Sequence, residues 1–425
     1  FKQPCLILDD ESDAASINTS AARAKVTATN RAIRSFIERF ETVTYVGYTA
    51  TPYANLFIDC RDPVDADTLG HDLFPRDFVC LLRKPPGYFG ASDLFGFPSK
   101  DDPAQNSGFL PIFGDFIRSN DADIRTISSA ERVPTLDLAL DCFLLSCAAR
   151  TARGQESADM SMLINPGVLK DYHRDIKGLV YRHLKPALEA AKSQEKEFFE
   201  RLEETWKREF LENSERCLKV IREELSARND DLAPSYKYAM NDYRNHAFEE
   251  LKEHILTILL KIELKVVNSD FPDSKLQYGD PQDPKRYVVI GGNKLSRGLT
   301  LEGLSVSYFI RNPDAPCYDT LMQMGRWFGY RNGYIDLCRI WAPDEVISHF
   351  SQVALADEDL RAQIARDYKN LRPLDLPPRV FRFDGLRITA ENKMGAAVRL
   401  SQSGVRLEQT GLGFDASSVG RVNER

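Results

Sequence analysis

Residues 287–331 read YVVIGGNKLSRGLTLEGLSVSYFIRNPDAPCYDTLMQMGRWFGYR, and the fold turns on two patterns nested in them. The β-branched run Tyr287-Val288-Val289-Ile290 breaks at Gly291-Gly292 and gives way to Leu295-Ser296-Arg297-Gly298-Leu299-Thr300. A buried strand that ends in glycines exposes backbone N–H groups at its carboxyl edge, where open α/β sheets take their ligands. Gln323-Met324-Gly325-Arg326, followed by Arg331, then supplies two fixed positive charges on what is expected to be the next helix. Arginines beside a phosphate-sized cavity stabilise the charge that develops in phosphoryl transfer.

Around this stretch lie 425 residues, 43% hydrophobic and 28% charged, enough for two or three domains with sizeable cores. The apolar stretches at 136–147 and 255–260 are too short or too charged to span a bilayer, so no membrane is expected among the partners. Eight cysteines are scattered without metal-ligand spacing, and the six histidines show no His-x-x-x-His pair, which argues against a zinc site and for a reduced, cytoplasmic setting. The net charge of −7 argues against a uniformly basic nucleic-acid binder, while a local basic groove remains compatible with it.

The chain opens on Cys5-Leu6-Ile7-Leu8-Asp9-Asp10-Glu11-Ser12-Asp13, an apolar strand running straight into acids. With no upstream element to pair with it, this opening predicts a fragment cut from a longer protein. Carboxylates at the end of a buried strand are costly unless a metal or hydrogen bonds compensate them. In nucleoside triphosphatases one such Asp holds Mg²⁺, usually through water, and the adjacent Glu orients and deprotonates the attacking water. The plainer reading is a solvated strand-to-helix turn with Asp13 or Ser16 as N-cap. Residues 27–40 then alternate at helical spacing, and 42–52 give a second strand ending in Thr49-Ala50-Thr51-Pro52. Strand, helix, strand, with acids at one tip and hydroxyls at the next, is half of a doubly wound lobe.

These residues carry a resemblance. Asp10-Glu11-Ser12-Asp13 resembles the Asp-Glu-x-Asp box of superfamily-two helicases, Thr49-Ala50-Thr51-Pro52 their third motif, 291–298 the fifth and 323–331 the sixth. More narrowly, LDDESDAASINT, YVGYTATPYANLFID, DLFPRDF, GGNKLSRGLTLEGL and QMGRWFGYR closely resemble the Z-one domain family. Those are prokaryotic helicase-like proteins, often labelled endonucleases and associated with defence or restriction-type loci. The resemblance implies an ATP hydrolase working with ATP and Mg²⁺, in which Asp10 positions the metal and Glu11 activates water. Thr49 and Thr51 would couple the sites, and Arg326 with Arg297 or Arg331 would stabilise the γ-phosphate from the opposite lobe. Gly298 and Gln323 join the nucleotide-binding set. The implied partners are DNA or RNA and other proteins of a defence or restriction-type system.

The sequence also departs from that pattern. No Gly-Lys pair occurs, so the phosphate-binding loop is missing and the chain alone is expected to bind ATP poorly. Thr300 stands where many helicases have an acid. Arg331 lies further from Arg326 than the usual spacing, so it is either a second finger or a structural partner of Asp319 or Asp336.

The expected architecture is α/β with two RecA-like doubly wound lobes, the first only partly present. Residues 1–60 form the end of lobe one; 61–155 are a loop-rich extension closed by an amphipathic bridging helix at 135–152. Lobe two occupies 156–345, with a helical insertion at about 170–261 whose Glu-, Lys- and Arg-dense 188–224 reads as a solvated arm. A small appendage, 346–425, carries a charged helix at 357–371 and a strand pair within 380–389 that presents arginines. Aromatics beside Arg76, Arg83 and Lys84 are of the kind that stack bases or plug a core. Ile262-Glu263-Leu264-Lys265 matches half of a Mg²⁺-dependent nuclease site, with Asp242 as the nearby upstream aspartate, or else a plain amphipathic strand. A nucleic-acid translocase is thus weighed against a nuclease and a non-catalytic scaffold.

Overall fold

The computed structural model describes residues 1–20, 26–60, 69–85, 88–97, 116–120, 130–166, 170–212, 219, 243, 245–267, 276–292, 300–310, 316–394, 397–402 and 405–410. The chain divides into two compact units. The first is Phe1–Arg83, Asp314–Met322 and Gln352–Arg425; the second is Lys84–Pro313 and Gln323–Ser351.

The first unit opens with the expected strand, helix, strand. β1 (Cys5–Asp10) and β2 (Val43–Tyr48) pair in parallel, in register from Cys5 opposite Val43 to Asp10 opposite Tyr48, and the helix Ala28–Ile37 joins them. Parallel pairing brings both strand ends, acids and hydroxyls, to one edge. Burial alternates along β1, so that Leu6 and Leu8 stay 62% and 60% exposed. Below it a core of Ile17, Ala54, Ile58, Cys60, Leu73 and Phe74 packs against Ile33, Ile37 and Tyr45. Phe74 therefore plugs a core rather than offering a face for a base. Arg34, 1% exposed, donates to the carbonyls of Leu69 and Gly70, and Asn30 reaches Ser16 O and Asp72, which ties 69–73 to the helix.

In the second unit the strands are β3 (Tyr88–Phe89), β4 (Ile117–Ser119), β5 (Met160–Asn165), β6 (Ile262–Val267), β7 (Arg286–Gly291), β8 (Leu304–Phe309), β9 (Gly329–Tyr330) and β10 (Arg339–Ala342). β3 and β9 make a small antiparallel pair. The other six form one parallel sheet in the order β4-β10-β8-β5-β7-β6. β5, β7, β8 and β10 are buried at every residue, as parallel strands covered on both faces must be, and they are mostly apolar, with Ser161, Asn165, Arg286, Ser305, Ser307 and Arg339 buried among the apolar residues.

Helix Pro134–Ala152 departs from expectation. Ala139 through Arg150 are all buried, so the helix is enclosed around its circumference there and does not show one apolar face to a core and one polar face to solvent. It lies against β8 and β10 on one side and beneath the helices Lys170–Lys192, Lys196–Trp206 and Phe248–Lys261 on the other, a middle layer with no solvent face. That second helical layer corrects the solvated arm, since Phe198, Phe199, Leu202, Trp206 and Phe210 are all buried. Apart from Glu209, buried on Arg118, the charges of 196–211 lie on the outer side; the residues between them hold the insertion down.

The chain ends in the first unit. The helix predicted at 357–371 begins earlier, at Asp344, and stops at Asp367. The predicted strand pair within 380–389 is replaced by β11 (Arg379–Phe381), β12 (Ala397–Gln402) and β13 (Val405–Thr410), in the antiparallel order β11-β13-β12. Residues 382–389 run as irregular chain with Leu386 and Ile388 turned into the interior, which gives the same alternation as a strand without its ladder.

Candidate functional site

The end of β1 reverses in a tight turn. Ser12 N–H donates to Tyr48 O of β2 (3.1 Å) and Ala14 N–H to Glu11 O (2.9 Å), so the turn closes on itself and on its neighbour strand. Among the described residues, Glu11 (φ 55°) and Gln194 (φ 55°) are the non-glycine residues in left-handed backbone. An acidic side chain held there carries strain of about 1–3 kcal/mol, which persists only where surrounding contacts impose it. Asp10 and Glu11 are both exposed, and Asp10 Oδ1 accepts Glu11 N–H at 3.0 Å.

Those contacts centre on Asp13, which is fully buried. Its carboxylate takes the hydroxyl of Thr49 on Oδ1 (3.0 Å) and of Thr51 on Oδ2 (3.1 Å), and Thr49 Oγ1 also receives Thr51 N–H (2.9 Å). Asn55 donates to Ser12 O at 3.2 Å from the following helix. At Gly47 a Cβ would stand 2.7 Å from Ser12 Oγ, so the second strand needs a glycine for the turn to close against it. Asp10, Glu11, Thr49 and Thr51 thus share one strand edge, as the sequence expects. Asp13, which the sequence offers as the last acid of the Asp-Glu-x-Asp box or as a helix cap, is the tether between the two loops. Its place three residues after Asp10, with two threonines waiting at the next strand end, was the signal.

The second unit holds the arginine loop. Gln323, half-buried, sits in the last turn of the helix Tyr318–Met324, and the chain then bends, Arg326 N–H to Met324 O at 2.8 Å and Phe328 N–H to Gly325 O at 3.1 Å. A Cβ on Gly325 would meet the Phe328 ring at 2.3 Å, and Gly329 takes φ +126°, so both glycines are steric requirements. Trp327 anchors the bend in an aromatic core with Phe95 (6.0 Å), Phe309 (5.7 Å) and Phe350 (5.1 Å).

Arg331 lies buried and folds back, donating to the carbonyls of Tyr330 (2.7 Å), Arg326 (2.9 Å) and Phe328 (3.3 Å). Its structural role is real, but the partners foreseen for it are otherwise engaged. Asp336 takes Arg153 through both oxygens (2.9 and 2.5 Å), and Asp319 takes Thr320 and Thr389. Arg326 is half-buried at the bend that Arg331 braces. Arg297, Gly298 and Asp242 lie outside the described residues.

Elsewhere the charges close on one another. Glu263 pairs with Lys265 (2.8 Å) and faces Lys285 (3.8 Å) on the edge strand β6, while Lys265 covers the Tyr287 ring at 5.1 Å. Among the described residues no group of three or more His, Cys, Asp or Glu is placed to hold a metal ion. His183 is clasped by Asp137 (3.1 Å) and Asp141 (2.9 Å); burial opposes its charge, yet the two carboxylates push its pKa up to about 9.

The model of the Z1 domain matches residues 135–384, more than half of the chain. The chain belongs to the Z1 domain family. No curated protein and no solved structure matches it. The Z1 match takes in β5 to β8, β10 and the arginine loop; the acidic turn lies before it. No helix among the described residues is long and apolar enough to cross a membrane.

Proposed function

We propose that this Z1 domain chain is the helicase-like ATPase part of a nucleic-acid translocase, built on RecA-like lobes and acting in the cytoplasm with the proteins of a prokaryotic defence or restriction-type system. One observation carries the reading: the buried Asp13 carboxylate binds Thr49 and Thr51 while the adjoining Glu11 is held, exposed and strained, at the strand edge. A plain surface turn needs neither a buried acid nor a left-handed glutamate.

The donor set suits Mg²⁺, a hard cation that keeps its waters and asks for one or two carboxylates. When bound, ATP with Mg²⁺ supplies a phosphoryl group already polarised for attack by water. Asp10 would hold the metal. Glu11 would accept the proton of the attacking water, and its left-handed backbone sets the direction in which its side chain leaves the turn. Thr49 and Thr51, sharing Asp13, pass a shift of the acidic turn to the second loop. Arg326, on its braced bend, is the arginine to which the family resemblance would assign the charge developing on the γ-phosphate, with Gln323 in the turn before it. Movement along DNA or RNA follows from alternate tightening and release of these loops.

The test is phosphate release by the native protein, with and without single-stranded DNA or RNA, in wild type and Glu11→Gln. Nucleic-acid-stimulated release, lowered ~10²–10⁴-fold by the substitution, is the expected result. A Glu11→Gln variant as active as its parent would sink the reading.

A further inference from the structure

The segment that follows the long helix Asp344–Asp367 makes a series of contacts in the first unit that the reading above leaves unused. Tyr318, at the start of the helix leading to the arginine loop, donates its hydroxyl to Phe381 O and accepts Phe383 N–H, both at 3.0 Å. Tyr318 N–H reaches Arg387 O (2.9 Å), and Arg387 N–H returns to Pro316 O (3.0 Å). Thr389 gives its hydroxyl to the buried Asp319 at 2.7 Å. Four residues on, in the 3₁₀ turn Glu391–Lys393, the ammonium of Lys393 donates to the backbone carbonyl of Asp13 at 2.8 Å.

We propose that Lys393 is a positioning residue for the acidic turn, and that 379–393 is a strap fixing that turn and the root of the helix Tyr318–Met324 to one another. The proposal rests on the ATPase reading. Asp13 is the hinge of the argument, because its side chain is pinned by Thr49 and Thr51 and its carbonyl by Lys393, so the peptide plane after it is held from both sides. A turn fixed at its rear helps to keep Glu11 in left-handed backbone, which glutamate adopts less readily than glycine. A charged donor makes a shorter and stronger bond to a carbonyl than a neutral one, which suits a site carrying three acids within four residues. Lys393 touches no reacting atom; it acts through the geometry of Glu11.

The experiment compares Lys393→Met and Lys393→Arg in the native protein, reading ATP turnover and amide hydrogen exchange of residues 11–14. For Lys393→Met, kcat falls about tenfold with KM for ATP within about twofold, as expected where the transition state alone loses its support. Exchange at 11–14 quickens about tenfold in the same variant as the turn opens locally. Lys393→Arg, which keeps a charged donor, recovers most of both. Turnover of Lys393→Met at the parent rate, or unchanged exchange at 11–14, overturns the proposal. A parent that hydrolyses no ATP overturns the functional reading instead, and exchange alone then decides the strap, with unchanged exchange counting against it.

Discussion

The acidic turn at 10–14 and the arginine loop at 325–331 are both short reversals after a regular element, and each commits one charge to hold its neighbour. In the turn the tether is Asp13, buried and bonded to two hydroxyls, while Asp10 and Glu11 stay exposed. In the loop the tether is Arg331, buried on three carbonyls, and Arg326 rides on the bend. The difference lies in where strain is kept. The loop places glycine wherever the backbone demands it, at Gly325 and Gly329; the turn places glutamate where glycine belongs. The proposed role of Glu11 draws on that retained strain.

Substitutions break this comparison in order of size. The largest effect is the loss of turnover in Glu11→Gln described above. Next, Arg331→Met leaves three loop carbonyls without donors and lowers unfolding free energy by about 2–4 kcal/mol in urea titration, more than Arg326→Met does. Equal losses would mean that the two arginines do not divide into tether and presented charge.

His183 supplies a control, a charge bound on both sides that presents nothing. Its folded pKa, about 9, lies above the ordinary histidine value, so its stabilisation is complete below about pH 6.5 and is lost as pH rises through 9. A fall on the order of 2–3 kcal/mol across that window, absent in His183→Gln, is expected from denaturation at a series of pH values. The smallest effect has the opposite sign. Glu11→Gly relieves the left-handed strain and stabilises by about 0.5–1 kcal/mol while abolishing turnover. Destabilisation by this change would show that the backbone there is not strained at all.

Much of this could be read along the chain. Strand β1 with its acids, β2 with its threonines, and the apolar runs of β5 and β7 announce themselves through composition and period, because burial on a sheet imposes both. Helix Pro134–Ala152 reads as amphipathic because its charged residues Asp141 and Arg150 are buried on partners outside the helix: His183 and Arg201 for one, the carbonyls of Asp159 and Gly303 for the other. A charged letter looks solvated until its counter-charge is found. The alternation at 380–389 misled for a related reason, since buried irregular chain and a strand both turn every second residue inward.

The kinds of chemistry present, carboxylates after one strand, hydroxyls after the next and arginines after a glycine bend, are local properties, and they follow from the order of the residues. Which acid is buried and which is offered, and which arginine is bound to its own loop, are not local. Asp13 is held by hydroxyls 36 and 38 residues away and by an ammonium 380 residues away. Whether a charge is a tether or a tool depends on the partners that folding brings to it, and hydrogen bonds over such separations leave no period in the chain to be read.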